Sequence, residues 1–401
     1  MDSVAREWKD QVNPDLALLV ERSQALYEDL DLTGVRDWKQ AEPGRHAIGF
    51  MPIYVPREII HAAGMLPVGI VGAGDRLEII RGDAYFQSYI CHIPRSTVEL
   101  ALTKRLEVLD GMLFPSICDV IRNLSGMWQM LFPEKYVRYV DVPQNFEPQV
   151  GGTFWRRELE ALRDDLVRLG GRPIDDEQLR HSIAVYNENR RVIHQLYLER
   201  SRRPWLFPTA EVFLFLRAGN VLPPEEHTEM LRRYLELAPL EEGRREQDMS
   251  RVVLVGMFCE QPPLGLLLTL ERAGCWIVDD DLMLGLRWFG DDIPEDGDPM
   301  ENLVVSYLQE GARTASVYQP EGRRGRWLVE SVHANSAEGV IFCAPSFCDP
   351  ALLEQPMLVD ALDRDGIPHT QFKYSENTGQ FAVIREQAGT FSDSIRLWSQ
   401  E

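Results

Sequence analysis

Two groups of short apolar runs, most of them bounded by glycine or proline, are the feature that most constrains how this chain can fold. The first group is Met65–Gly72, Val108–Ser116 and Tyr136–Val142. The second group is Arg251–Phe258, Cys275–Val278, Gly339–Ala344 and Thr370–Tyr374. Runs of this length and composition are typical of buried strands. Helical segments such as Arg95–Arg105 separate them, so the pattern predicts an α/β fold with two parallel sheets.

The segments outside these groups predict helices and set the expected domain limits. Apolar residues recur at helical intervals before residue 45, and 154–200 has a helical pattern throughout. Prolines within 203–208 and 222–224 mark a linker before a further helix over Glu225–Leu237. We expect an N-terminal helical segment over 1–45, a first α/β domain over 46–150, a helical segment and linker over 151–245, and a second α/β domain over 246–401. Apart from the likeness of the two halves, we identify no internal repeat.

Charge and composition exclude several classes of protein. The chain has 42 basic and 63 acidic residues, a net charge of −21, which disfavours nucleic acid as a partner. No signal-like segment and no bilayer-length apolar stretch is evident, so we expect a cytoplasmic protein without membrane spans. No Gly-Lys pair occurs, which excludes a P-loop, and Gly69–Gly74 is interpreted as a turn. The acidic runs Asp279–Asp281 and Gly290–Asp298 are expected to be solvated loops rather than cation sites.

Three of the six cysteines follow strand-like runs and lie in loops: Cys91, Cys118 and Cys348. Loops at the carboxyl ends of parallel strands carry the chemistry of open α/β folds, so these thiols are expected to converge. Three thiolates could hold an iron–sulfur cluster with one iron left open. Zinc is the competing metal, although structural zinc sites usually include a close ligand pair.

The other three cysteines are interpreted differently. Cys275 and Cys343 lie within strand-like runs and are expected to be small buried apolar residues. Cys259 follows a strand-like run and stays open between ligand and core residue. In a reducing compartment, a disulfide framework is not expected.

Three residues are candidates for proton transfer. His92 follows Cys91 and either donates a proton or caps a helix. Glu58 and His61 are three residues apart, so they share one face of a predicted helix.

Four segments resemble the catalytic subunits of the 2-hydroxyacyl-CoA dehydratase and benzoyl-CoA reductase family. They are MPIYVPREIIHAAGMLPVGI (51–70), YICHIPRS (89–96), ICDVIRNLSG (117–126) and GVIFCAPSFCDP (339–350). The C-terminal stretch 366–398 is similar to the B-type subunit of the ATP-dependent benzoyl-CoA reductases. There, Gly379-Gln380 is followed by FAVIRE, which favours the reductase branch.

The resemblance implies a fold, a cofactor and partners. The fold would be two flavodoxin-like (Rossmann-like) domains with additional helices. Cys91, Cys118 and Cys348 match the three cysteines that bind a [4Fe–4S] cluster in the family. The implied partners are a paralogous cluster-binding catalytic subunit, an ATP-hydrolysing iron–sulfur activator, ferredoxin as the upstream donor, and an aroyl-CoA substrate.

The activity implied by the resemblance is ATP-dependent reduction of benzoyl-CoA to a cyclohexadiene-carbonyl-CoA in anaerobic degradation of aromatic compounds. The thioester carbonyl would delocalise the added electron, and His92, Glu58 or His61, in that order, would supply a proton. Arg95, Arg122 and Asn123 would contact the CoA ester. The alternatives are a 2-hydroxyacyl-CoA dehydratase subunit, which recycles one electron, and an electron-transfer subunit whose cluster never meets substrate.

Overall fold

A computed structural model describes residues 13–256, 262–312, 314–318, 323–375 and 381–398. It contains two four-stranded sheets in which every strand pairing is parallel. The strands of the first sheet are β1 (Ala47–Phe50), β2 (Leu66–Gly69), β3 (Gly111–Pro115) and β4 (Tyr136–Val140). Those of the second are β5 (Ser250–Val255), β6 (Cys275–Asp280), β7 (Gly339–Pro345) and β8 (His369–Tyr374).

The two sheets have the same strand order. It is β2-β1-β3-β4 in the first and β6-β5-β7-β8 in the second. In each, the first strand along the chain lies between the second and third, which is the flavodoxin-like order and creates a switch point at the carboxyl ends. The expected α/β fold with two flavodoxin-like sheets and additional helices is confirmed.

Helices cover the sheets and connect them. Those of the first half are α1 (Pro14–Glu28), α2 (Thr33–Gln40), α3 (Arg57–Ala62), α4 (His92–Leu102) and α5 (Asp119–Leu131). The helical layer between the sheets comprises α6 (Thr153–Arg168), α7 (Asp176–Arg202), α8 (Thr209–Ala218) and α9 (Pro224–Leu237). The second half adds α10 (Leu264–Arg272), α11 (Pro299–Glu310), α12 (Arg323–Ala334), α13 (Asp349–Asp365) and α14 (Phe381–Trp398).

The strands are apolar because both faces of each sheet are covered. All seven residues of β7 and all five of β3 are buried. Strand β1 was missed in the sequence because it has only four residues, one of them a glycine. A side chain at Gly49 would lie 2.6 Å from Met112 Sδ, so the packing of β1 against β3 requires this glycine.

The helical pattern predicted over 154–200 is interrupted once. Helix α6 ends at Arg168, and Gly170 then takes a left-handed φ of 111°. Helix α7 begins with a capping box, in which the Asp175 side chain accepts from Gln178 N–H and the Gln178 side chain accepts from Asp175 N–H.

The prediction that Asp279–Asp281 is a solvated loop is wrong, whereas the charged residues of 290–298 are exposed as expected. All three aspartates are buried at the carboxyl end of β6, and each forms an ion pair with a different arginine. The pairs are Asp279 with Arg287, Asp280 with Arg200, and Asp281 with Arg324. Buried carboxylates require such partners, and these come from distant parts of the chain.

Within the described residues, no helix has the length and apolar character needed to cross a membrane.

Candidate metal centre

Two of the cysteine loops are copies of one another. The pattern Pro-Ser-x-Cys-Asp occurs at 115–119 and again at 345–349. In each copy the proline is the last residue of the third strand of its sheet, and the aspartate is the first residue of the following helix. The serine N–H donates to the carbonyl of the last residue of the fourth strand, at 2.9 Å for Ser116 and 2.8 Å for Ser346. The repeat is visible in the sequence but was missed there, because its meaning depends on the equivalence of β3 and β7.

Each of the three loop cysteines caps the N-terminus of a helix. Cys91 precedes α4, Cys118 precedes α5 and Cys348 precedes α13. The first N–H groups of a helix lack intrahelical partners and carry partial positive charge. All three sulfurs therefore lie where a thiolate, or an anionic group bound to thiolates, is stabilised.

The same three cysteines line one cavity of about 980 Å³. Cys348 is buried, while Cys91 and Cys118 are half-buried. The lining comes from both halves of the chain, since α4 and α5 belong to the first sheet and α12 and α13 to the second. The predicted convergence of the three cysteines at one site is therefore found.

Burial raises the pKa of the Cys118 thiol. The N–H groups of Ile121 and Val120 oppose this increase, and the nearby Asp119 and Asp349 carboxylates add to it. Without a cation the thiol is therefore held in its protonated form, and a bound metal would supply the charge that favours the thiolate.

The donor set fits a cluster better than a single ion. Across the described ranges, no three His, Cys, Asp or Glu side chains lie close enough to hold one metal ion. An iron–sulfur cluster places its thiolates on different iron atoms, so its ligands surround the group without touching one another. Three sulfur donors and no nitrogen donor is the set expected for iron–sulfur chemistry.

His92 and Arg95 adjoin the site without lining the cavity. His92 is buried on α4, and burial, followed by the charge of Arg95, lowers its pKa to about 4. Its ring is therefore neutral at neutral pH. Arg95 Nη1 forms an ion pair with Asp83 Oδ1 at 2.8 Å.

Glu58 and His61 do share helix α3, but neither lines the cysteine cavity. Glu58 is buried, and its Oε1 lies 2.7 Å from Arg190 Nη1. His61 is hydrogen-bonded through Nδ1 to Ser182 Oγ at 2.8 Å, and its Nε2 lies 3.2 Å from Glu225 Oε1. Both residues thus contact the central helical layer.

Arg122 and Asn123 are exposed on α5 and line a separate depression. The Arg122 guanidinium lies 5.8 Å from the centre of the Tyr139 ring. The structure does not bring either residue to the cavity that holds the cysteines, so their assignment to CoA binding stays a prediction.

An arginine that the sequence did not single out does line the cavity. Arg324 on α12 is buried and forms ion pairs with Asp281, after β6, and with Glu354 on α13 at 3.3 Å. Its guanidinium lies 4.6 Å from the Trp327 ring centre. The consecutive aspartates at the end of β6 were the available signal, because buried carboxylates at a strand end require a cationic partner.

Cys275 and Cys343 are fully buried in the core, as predicted. Burial is the main cause of the raised pKa of both thiols. Cys259 and the Gly379-Gln380 pair lie outside the described residues.

The fold and site define a two-sheet α/β protein with a thiol-lined cavity at its strand ends. The family model described as "2-hydroxyglutaryl-CoA dehydratase, D-component" matches residues 52–395. The chain belongs to this family, and the resemblance inferred from the motifs is confirmed.

Three relatives show where the chain lies within the family. It is 57% identical over 382 residues to the C-type subunit of benzoyl-CoA reductase from Thauera aromatica, covering 95% of this chain and 99% of the relative. It is 30% identical to the beta subunit of (R)-2-hydroxyglutaryl-CoA dehydratase from Acidaminococcus fermentans, covering 89% and 94%. It is 28% identical to the beta subunit of (R)-phenyllactyl-CoA dehydratase from Clostridium sporogenes, covering 88% and 93%. The first relative is of the C type, whereas the pattern of the C-terminal stretch favours the B type.

Proposed function

We propose that this chain is an iron–sulfur catalytic subunit of an ATP-dependent benzoyl-CoA reductase. The observation that carries the proposal is the meeting of Cys91, Cys118 and Cys348 at one cavity, each at a helix N-terminus. The 57% identity to a benzoyl-CoA reductase subunit favours this substrate over the 2-hydroxyacyl-CoA esters of the more distant relatives.

The three cysteines would hold a [4Fe–4S] cluster through their thiolates. When bound, such a cluster supplies electrons at a low potential, down to about −700 mV among iron–sulfur centres. The helix N-termini of α4, α5 and α13 would stabilise the negative charge of the thiolates. Arg324 would fix the relative positions of β6, α12 and α13, because its ion pairs join all three elements.

The cavity is large enough for a substrate group as well as a cluster. Its volume of about 980 Å³ lies at the upper end of the range for small-molecule sites. Leu353 and Met357 lie one turn apart on α13, are exposed and line the cavity. This apolar wall suits an aromatic acyl group and would exclude water from it. Among the predicted proton donors, His92 is the candidate we retain, because it directly follows a proposed ligand.

The working enzyme would be a hetero-oligomer. We propose a paralogous cluster-binding subunit, an ATP-hydrolysing activator and ferredoxin as the donor. The subunit designations of the relatives support partner subunits in general. The absence of a P-loop signature in the sequence is compatible with ATP binding on another chain.

Electron consumption by the anaerobically purified complex tests the proposal. With benzoyl-CoA, a reductase consumes electrons in proportion to product, and ATP is required. A dehydratase needs only catalytic electrons and responds to a 2-hydroxyacyl-CoA ester, the alternative favoured by the two dehydratase relatives. An electron-transfer subunit would transfer charge at a rate that neither ester changes.

A further inference from the structure

Phe347 combines an exposed ring with an unfavourable backbone conformation. It lies between Ser346 and Cys348 in the loop from β7 to α13, and it is 53% exposed. Its φ is +64°, in the left-handed region, where a bulky residue is an outlier. Such strain persists only where the surrounding structure enforces it, and it is concentrated at functional sites.

The copy of this loop in the first sheet shows that the connection itself does not require the strain. Ile117 is the counterpart of Phe347, because both lie between the serine and the cysteine of Pro-Ser-x-Cys-Asp. Ile117 is only 3% exposed and is outside the left-handed region. Both loops join a third strand to a helix with the same spacing. The conformation of Phe347 is therefore specific to presenting this ring outside the core.

The ring is presented to the cysteine cavity. Phe347 lines it together with the adjacent Cys348 and with Cys91 and Cys118 from the first half of the chain. A half-exposed phenylalanine leaves apolar area in contact with water, which is unfavourable unless a bound group covers it. A group held by the three thiolates would lie in the same cavity as this ring.

We propose that Phe347 is a positioning residue that shields the cysteine-bound group from water. This inference rests on the proposed function, since it requires a group at the three thiolates. The apolar shell around a metal site controls solvent access and the local dielectric constant, and through them the reduction potential. Reduction adds negative charge to a group already carrying thiolates, so excluding water disfavours the reduced form and lowers the midpoint potential. A low potential is what reduction of an aromatic ring demands.

The test compares the full chain in its complex, purified anaerobically, as wild type, Phe347→Ala, Phe347→Leu and Met130→Ala. Met130 is the matched control because it is 76% exposed on α5, the helix after the other copy of the loop, and lines a different depression. The measurements are iron content, the midpoint potential by redox titration followed by electron paramagnetic resonance, and the rate at which visible absorbance decays in air. We expect Phe347→Ala to keep its iron, to have a higher midpoint potential and to decay several-fold faster. Phe347→Leu should restore most of both properties, and Met130→Ala should match the wild type.

The outcomes separate the two proposals. If wild type contains no iron–sulfur cluster, the proposed function fails and the shielding role fails with it. If wild type contains the cluster but Phe347→Ala has the same potential and the same lifetime in air, the shielding role alone is refuted. Phe347→Gly gives an independent check of folding: because glycine adopts φ +64° without strain, it should melt at a higher temperature than Phe347→Ala. A lower melting temperature would show that the backbone strain was misassigned.

Discussion

The ion pair between Glu58 and Arg190 gives a sharp test of whether Glu58 is structural or catalytic. Both side chains are at most 2% exposed, and Oε1 lies 2.7 Å from Nη1. The pair joins α3 to α7, and the buried Arg57 lies beside it on α3. Replacing Glu58 with glutamine would leave the Arg190 charge buried without its carboxylate partner.

The expected loss of stability follows from this burial. Removing one member of a buried ion pair costs about 3–5 kcal/mol, because the remaining charge is desolvated without compensation. Unfolding entropy is about 2.1 cal/mol/K per residue, so a cooperative unit of 401 residues would lose about 5 °C in melting temperature for about 4 kcal/mol. Glu58 does not line the cysteine cavity, so iron content and the turnover of folded protein should stay at the wild-type level.

Thermal unfolding followed by circular dichroism measures this effect, with iron content determined on the same samples. The control is the double variant Glu58→Met/Arg190→Met, which removes both charges and should recover most of the lost stability. A Glu58→Gln variant with an unchanged melting temperature and no turnover would refute the structural assignment. It would also restore Glu58 as a candidate for proton transfer.

Three further predictions concern the ligands, an acid-sensitive histidine and the cavity arginine. Serine in place of Cys91, Cys118 or Cys348 should each lower the iron content and abolish turnover, whereas serine at Cys275 or Cys343 should leave a cluster in place; full iron occupancy in Cys348→Ser would contradict the assignment. Burial lowers the pKa of His227 to about 4, so the folded state binds fewer protons than the unfolded state, and up to about 3 kcal/mol of stability is lost as pH falls from about 6.5 to 4; urea unfolding should show this slope, and His227→Gln should reduce it. Arg324→Gln should cost about 3–5 kcal/mol in the same assay because it leaves Asp281 and Glu354 unpaired with it, and wild-type stability would disprove that role.

The fold class and the positions of the cysteines could be predicted because both depend on local patterns. Short apolar runs bounded by turn residues predicted seven of the eight strands. Once parallel sheets are assumed, loops after their strands must meet at one edge, which is why Cys91, Cys118 and Cys348 could be grouped in advance. The exception, β1, is too short for its pattern to differ from that of a turn.

The ion pairs and the roles of the remaining residues could not be predicted, because they depend on which distant segments arrive. Glu58 and His61 share a face of α3, as their spacing required, but their partners Arg190 and Glu225 lie more than a hundred residues further along the chain. The same holds for Asp281, whose burial depends on Arg324.

By itself, the sequence determined the kind of each element and the chemistry available to it, since hydrophobic period and residue type act over a few neighbours. Tertiary structure decided which charges are buried, which thiols share a cavity and which of two copied loops exposes an aromatic ring to it. Those properties depend on packing between segments that no local pattern relates, and in this chain they separate Ile117 in the core from Phe347 in the cavity.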